Sequence, residues 1–270
     1  MRALAVAGVG VVVVGVLTLV WVWNDARHSH GSSADHRVRV AAAADLKFAL
    51  DEVITAFERA HRDIHVEATY GSSGNFFAQL CNRAPFDLFL SADIDYPHQL
   101  AQQGFARKET EFCYAIGHLV IWVPRRSALA VDKRGAKALL DPSVRKIAIA
   151  NPRHAPYGRA AEAALKSLGL FDQIKDRLVY GDNVAQTAQF AQTGAADAAM
   201  IGLSLARAPS MRDEGSCWEV PLDAYPRLEQ GGVILSWAKD LPAAESLRTF
   251  LMDTEAKAVL KRYGFYLPGE

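Results

Sequence analysis

Cysteine is scarce in this chain of 270 residues, which has 3, at Cys81, Cys113 and Cys217. Their spacing matches no metal-binding pattern. An odd count in an oxidising compartment permits one disulfide and one buried thiol. The sequence does not choose the pair, and three unpaired cysteines are also compatible with it. An excess of one charge is missing too: 30 Lys and Arg balance 30 Asp and Glu. That balance argues against a nucleic-acid binder that works by neutralising many phosphates. There is no long charge run and no repeat of fixed period. No nucleophile–base pair, phosphate loop or metal-ligand cluster stands out. The GSSG of 71–74 is not a nucleophile elbow, which needs Gly-x-Ser-x-Gly. Nothing here supports an enzyme or asks for a cofactor.

What is present is a globular composition, with 50% hydrophobic and 22% charged residues. A chain this long can support two modest cores. Residues 3–23 form an almost unbroken apolar run preceded only by Met1 and Arg2. About 20 apolar residues can span a bilayer, whereas a cleaved secretory segment usually has ~7–15. Ser32-Ser33-Ala34 offers a small-x-small cleavage site, so residues 1–36 read as a signal peptide or signal anchor plus polar linker. Both versions place residues 37–270 outside the inner membrane. No cysteine follows the run closely, so a lipoprotein anchor is not indicated. His28 and His30 lie in the linker and read as spacer.

Beyond the linker, strand and helix patterns alternate. Residues 37–42 (RVRVAA), 64–70 and 86–90 read as strands; 46–57 and 96–103 read as amphipathic helices. The stretch 113–123 (CYAIGHLVIWV) is long and rich in β-formers, as a segment running from one domain into the next would be. A second series follows: strand 146–150, helix 159–168, strand 177–180, helix 184–192 and strand 198–201. Strands at 218–221 and 232–237 lead back, and helices over 242–252 and 254–263 close the chain. This order implies an α/β fold of two lobes, each a mainly parallel sheet flanked by helices. The expected division is 37–117 with 221–270 as the first lobe and 118–220 as the second. A ligand would lie between them, at the carboxyl ends of the strands.

Four stretches share one local design, a strand followed by small or polar residues and a helix start. They are Ala43-Ala44-Asp45, Gly71-Ser72-Ser73-Gly74, Pro156-Tyr157-Gly158 and Asp182-Asn183-Val184. A helix start presents unpaired N–H groups and a partial positive charge, so each can seat an anion. Several aimed at one point would cage a small oxyanion without lysine or arginine, which suits a binder rather than a catalyst.

Several segments carry a resemblance: AAAADLKFAL (41–50), YGSSGNFFAQL (70–80), APFDLFLSAD (84–93), YAIGHLVIW (114–122), IAIANPRHAPYG (147–158), GAAD (194–197) and KRYGFYLP (261–268). In this order the chain resembles the periplasmic molybdate-binding proteins of ABC importers, a branch of the type II periplasmic binding fold. The resemblance implies a monomer that holds molybdate or tungstate and delivers it to a membrane permease, with no nucleic-acid partner. Molybdenum would enter only as the oxyanion, without a direct protein ligand. By position, the donors would be Ala44, Asp45, Ser73, Tyr157 and Val184, with Ser72 and Gly158 secondary. Ser73 would give both hydroxyl and N–H, Tyr157 and Val184 their main-chain N–H, and Gly158 room for close approach.

This chain departs from the family pattern at two places. Positions 44 and 45 commonly carry a hydroxyl or amide side chain in the family, and here they are alanine and aspartate. Asp45 would either turn its carboxylate aside to satisfy the helix start, or stand protonated and donate to the ligand. The stretch Gly202-Leu203-Ser204 lacks the tyrosine some relatives place there, so Tyr157 is expected to occupy the pocket. Two other functions stay open: a receptor for another tetrahedral oxyanion such as sulfate or phosphate, and a membrane-anchored oxyanion sensor.

Overall fold

A computed structural model describes residues 36–269. The apolar run, the cleavage site and the two linker histidines lie outside the described residues. Among those described, no helix is long and apolar enough to cross a membrane.

The strands are β1 (His36–Ala43), β2 (Ile64–Gly71), β3 (Leu88–Ser91), β4 (Phe112–Gly117), β5 (Leu119–Pro124), β6 (Ile147–Ala150), β7 (Leu178–Gly181), β8 (Ala198–Gly202), β9 (Gly215–Glu219) and β10 (Leu228–Ile234). Helices of two turns or more are α1 (Lys47–Ala60), α2 (Ser73–Cys81), α3 (Asp95–Gln102), α4 (Pro156–Ser167), α5 (Val184–Thr193), α6 (Leu241–Leu251) and α7 (Thr254–Arg262). Single turns of helix at 131–134, 171–174 and 203–206 were not expected from the periodicity.

The strands form two five-stranded sheets, ordered β2-β1-β3-β10-β4 and β7-β6-β8-β5-β9. In the first, β1 pairs in parallel with β2 and β3, while β10 runs antiparallel between β3 and β4. In the second, β6 pairs in parallel with β7 and β8, and β5 runs antiparallel between β8 and β9. Each sheet is thus parallel apart from one reversed strand. The reversed strands, β5 and β10, are the first ones the chain lays down after changing sheets. The long apolar segment is where the first change occurs: it breaks at His118, leaving β4 in one sheet and β5 in the other.

Strand alternation explains why helices cover both faces of the first sheet. Val38, Val40 and Ala42 of β1 join the core beneath α1, α6 and α7, whereas Ala41 points into a separate core with Phe76, Leu80 and Phe89. On α1, Ala49, Leu50, Val53 and Phe57 recur at helical spacing and are all buried. Truncating Leu50 to alanine would cost about 2–5 kcal/mol, the usual range for a filled core site. The second sheet has its own core around Trp122, Ile149, Leu165 and Ile201. Trp218 packs on that core and Trp237 on the smaller core of the first sheet, both only partly buried. All three cysteines are free and half-buried, and burial raises each thiol above its ordinary range.

Candidate functional site

Four helix starts border one small cavity. Its lining comprises Ala43, Ala44 and Asp45 after β1, Gly71, Ser72 and Ser73 after β2, Ala155, Pro156 and Tyr157 at α4, Asn183 and Val184 at α5, and Ala92. The space open to the centre of a water-sized sphere is about 10 Å³. That is about the room one water molecule needs and far too little for an organic solute. A hollow of about 840 Å³ lies over Lys133, Arg134, Lys137 and Trp218. It is wide and lined by three cations, so size alone does not locate the site.

The local hydrogen bonding leaves particular amides over at each start. At α5, Asn183 is the N-cap, and its Oδ1 accepts from Ala185 and Gln186, both at 3.0 Å. This cap does not take up the first N–H of the helix, that of Val184. At α4, Pro156 occupies the first turn and has no N–H. Gly158 and Arg159 both donate to the Ala155 carbonyl, at 3.0 and 3.1 Å, and Tyr157 is the residue between. At α2, Gly74 donates to the His154 carbonyl at 2.9 Å and Phe76 to Ser72 at 3.0 Å. Ser73 lies at the cavity wall with its Oγ accepting from Ala92 N–H at 3.0 Å. That acceptor bond leaves the hydroxyl proton of Ser73 available for donation. Ala44 and Asp45 open the single turn of 3-10 helix that leads into α1.

Two secondary candidates sit differently from expectation. Ser72 lines the cavity, but its hydroxyl donates to the His154 carbonyl at 2.6 Å and lies 3.0 Å from His154 Nδ1. Gly158 is not part of the lining; a Cβ there would meet the Ala150 carbonyl at 2.2 Å. Its small size lets α4 pack onto the end of β6, within the protein rather than against a ligand. The helix also begins at Pro156, three residues before the apolar periodicity sets in.

Asp45 is the only charged residue in the lining, and it is buried. Its Oδ2 accepts from Gln230 Nε2 at 2.5 Å, and the Tyr157 hydroxyl also bonds the carboxyl. Oδ1 is buried with no hydrogen-bond partner. Oδ2 is therefore turned toward Gln230, and Oδ1 is left unpaired. Burial pushes its pKa from 3.8 up to about 6, with bonds from Gln230, Tyr157 and its own amide acting the other way. Tyr157 and Tyr114 are both held well above the ordinary phenol range, chiefly by burial and then by the charge on Asp45. The Tyr157 ring fills a slot that side chains on Gly117 and Gly202 would close, since a Cβ on Gly117 would lie 2.4 Å from its hydroxyl. Gln230, which the sequence did not single out, is aimed inward by a bulge between Gln230 and Gly231 of β10.

The elements packed on the two sheets also meet directly beside the cavity. Besides the contacts of Ser72 and Gly74 with His154, Arg159 of α4 donates to Asp93 at 2.5 Å and to the Tyr96 hydroxyl at 3.1 Å. Ser204 donates to the Asp45 carbonyl at 2.9 Å. Asp93 accepts from Asp95 N–H at 3.0 Å and carries the Arg159 contact as well. Asp87 is buried and paired with Arg39 at 3.1 Å. Among the described residues, no cluster of three or more His, Cys, Asp or Glu could hold a metal ion.

Two sheets joined by two crossings, with a small pocket bordered by helix starts from both, define the architecture of a solute-binding protein. The family model described as bacterial extracellular solute-binding protein matches residues 38–266, and the chain belongs to that family. It is 38% identical over 232 residues to the molybdate-binding protein ModA of Azotobacter vinelandii, covering 85% of this chain and 90% of that one. It is 34% identical over 200 residues to the ModA of Rhodobacter capsulatus, covering 74% and 77%. The solved Azotobacter vinelandii periplasmic molybdate-binding protein superposes with a TM-score of 0.80 at 34% identity, over 86% of this chain and 99% of that one. The sulfate-binding protein SubI of Mycobacterium tuberculosis shares the fold, with a TM-score of 0.68 at 16% identity over 87% and 88% of the two chains. These relatives are binding proteins, and the chain is not an enzyme.

Proposed function

We propose that the chain is the extracytoplasmic receptor of an ABC importer for molybdate, with tungstate accepted alongside it. It works as a monomer that hands the ion to a membrane permease. The lobes formed by 37–117 with 221–270 and by 118–220 close on the ion. The amides of Ala44, Asp45, Ser73, Tyr157 and Val184, with the Ser73 hydroxyl, hold it. The observation that carries this reading is the meeting of four helix starts around a space of about 10 Å³ that no lysine or arginine enters. The molybdate-binding relatives point to the same class of guest.

The magnitudes are adequate. A hydrogen bond to a charged group contributes roughly 1.5–3 kcal/mol net. Six such contacts give about 9–18 kcal/mol, and micromolar to nanomolar affinity needs roughly 8–12 kcal/mol. Dehydration of the ion and closure of the lobes absorb the difference. With no fixed cation in the cage, release to a permease remains accessible. Sulfate and molybdate share charge and shape, so the walls can separate them only by size. Tungstate matches molybdate too closely to be excluded.

Calorimetric titration of the purified chain tests this. Molybdate and tungstate should bind stoichiometrically and sulfate far more weakly. Tight sulfate binding with no molybdate heat would refute the assignment in favour of a receptor for another oxyanion. That second reading draws on one specific feature, the carboxyl of Asp45 in the lining, which could accept a proton from hydrogen phosphate.

A further inference from the structure

The cavity wall contains one group that a cage for a dianion should not tolerate in its ionised form. Asp45 is 1% exposed, and no cationic side chain compensates it. The groups that face it are the amide of Gln230 on β10, the phenols of Tyr157 on α4 and Tyr114 on β4, and the Ser204 hydroxyl at its carbonyl. Lys47, the nearest cation in sequence, reaches outward to Asp51 at 3.0 Å. The two carboxyl oxygens are not equivalent: Oδ2 is satisfied by Gln230, and Oδ1 is buried without a partner. The Tyr114 hydroxyl lies 2.9 Å from the Ser91 carbonyl and 3.1 Å from Gln230 Oε1, so its single proton is shared between two acceptors and none is left for Asp45.

We propose that Asp45 serves the site as a neutral carboxylic acid whose Oδ1–H is donated to the bound oxyanion, so that the protein takes up one proton with each ion it captures. This rests on the oxyanion-receptor reading above and adds a specificity rule to it. A fully ionised oxyanion offers only acceptors, and every group that meets it must donate; a carboxylic acid does so and a carboxylate does not. An ion that keeps a proton of its own needs an acceptor, which the acid form of Asp45 withholds. Selection for fully ionised tetrahedral anions is thereby written into one side chain. Position 45 makes this contact proton-dependent, which an amide or hydroxyl there would not.

The proton balance follows. Before binding, burial places half-protonation at about 6. A bound dianion raises it further, so the acid form persists in the complex at pH values where the free protein has lost the proton. Affinity is then highest at or below pH 6 and declines by up to about tenfold per pH unit above it.

The test is calorimetric titration of the full chain with sodium molybdate at pH 6, 7 and 8, each in two buffers of different ionisation enthalpy. Kd should rise about fifty-fold from pH 6 to pH 8, with close to one proton taken up per ion at pH 8. In Asp45→Asn, where the amide donates at every pH, both the trend and the uptake should vanish, and binding at pH 8 should exceed that of the parent. Molybdate binding with constant Kd and no proton uptake would overturn the inference and leave the receptor reading intact. An absence of molybdate heat at every pH would overturn both. Phosphate binding more tightly than molybdate without proton uptake would show an ionised Asp45 accepting the ligand's proton, and would overturn the inference as well.

Discussion

Gly74→Ala puts the closing contact between the two sides of the cleft under direct strain. A Cβ on Gly74 would lie 2.4 Å from the His154 carbonyl oxygen, 2.9 Å from His154 Cα and 2.9 Å from the Tyr96 hydroxyl. The first two atoms are backbone and cannot swing aside, so the start of α2 and the loop carrying His154 must separate. Two hydrogen bonds fail with that separation: Gly74 N–H to His154 at 2.9 Å and Ser72 Oγ to the same carbonyl at 2.6 Å. At about 0.5–1.5 kcal/mol each, their loss amounts to roughly 1–3 kcal/mol, or about 5- to 150-fold in Kd. The helix itself should not weaken, because alanine is favoured over glycine in a helix by up to about 1 kcal/mol. Loss of affinity without loss of stability is therefore the expected signature. Calorimetry with molybdate, paired with thermal unfolding of the ligand-free protein, would measure both. A Gly74→Ala protein that binds molybdate as tightly as the parent would refute the argument that this contact belongs to the ion-holding state.

Ser73→Ala removes the one side-chain hydroxyl assigned to the ion and leaves the Ala92 amide without its acceptor at 3.0 Å; calorimetry should show affinity at least about tenfold lower. Asn183→Ala deletes the cap of α5 and should lower unfolding free energy by about 0.5–2 kcal/mol in denaturant titration, with weaker molybdate binding because the Val184 seat frays. Asp45→Asn should stabilise the ligand-free protein at neutral pH. Its folded-state pKa is raised from 3.8 to about 6, so the carboxyl's contribution is fully present below 3.8 and is lost as pH rises through 6. The difference is about 3 kcal/mol, or roughly 6–12 °C in Tm for a domain of this size. Equal Tm values for parent and variant at pH 7.5 would contradict the burial argument. Arg159→Ala should weaken molybdate binding only a few-fold by calorimetry, because its bond to Asp93 is partly exposed and screened.

The parts of the site that sequence made legible are local ones. A strand, a few small residues and a helix start can be read without knowing what lies opposite, and Ala44, Ser73, Tyr157 and Val184 do border one cavity. What escaped depends on residues distant in the chain. Gln230 sits in LEQGG, where two polar residues obscured the start of β10; the strand begins at Leu228 because β4 supplies its hydrogen bonds. Nothing local indicates that the bulge beside it aims Gln230 at Asp45, 185 residues away. The bond between Arg159 and Asp93 and the double use of the His154 carbonyl are equally non-local. The resemblance implies that Gly158 gives room for ligand approach, and only the packed structure shows that the Ala150 carbonyl is its neighbour instead. The onset of α4 was placed late because Pro156 and Gly158 weaken a helical pattern, although proline is well suited to a first turn.

The central claim is that uncharged groups at four helix starts hold a doubly charged ion, and a crystal structure of the molybdate complex tests it most directly. The ion should occupy the cavity between Ser73 and Tyr157, with its oxygens about 2.7–3.2 Å from the amides of Ala44, Ser73, Tyr157 and Val184 and no lysine or arginine in contact. Molybdate bound instead beside the cations of the Lys133–Arg134 groove, or left outside a cavity that stays closed, would contradict the account.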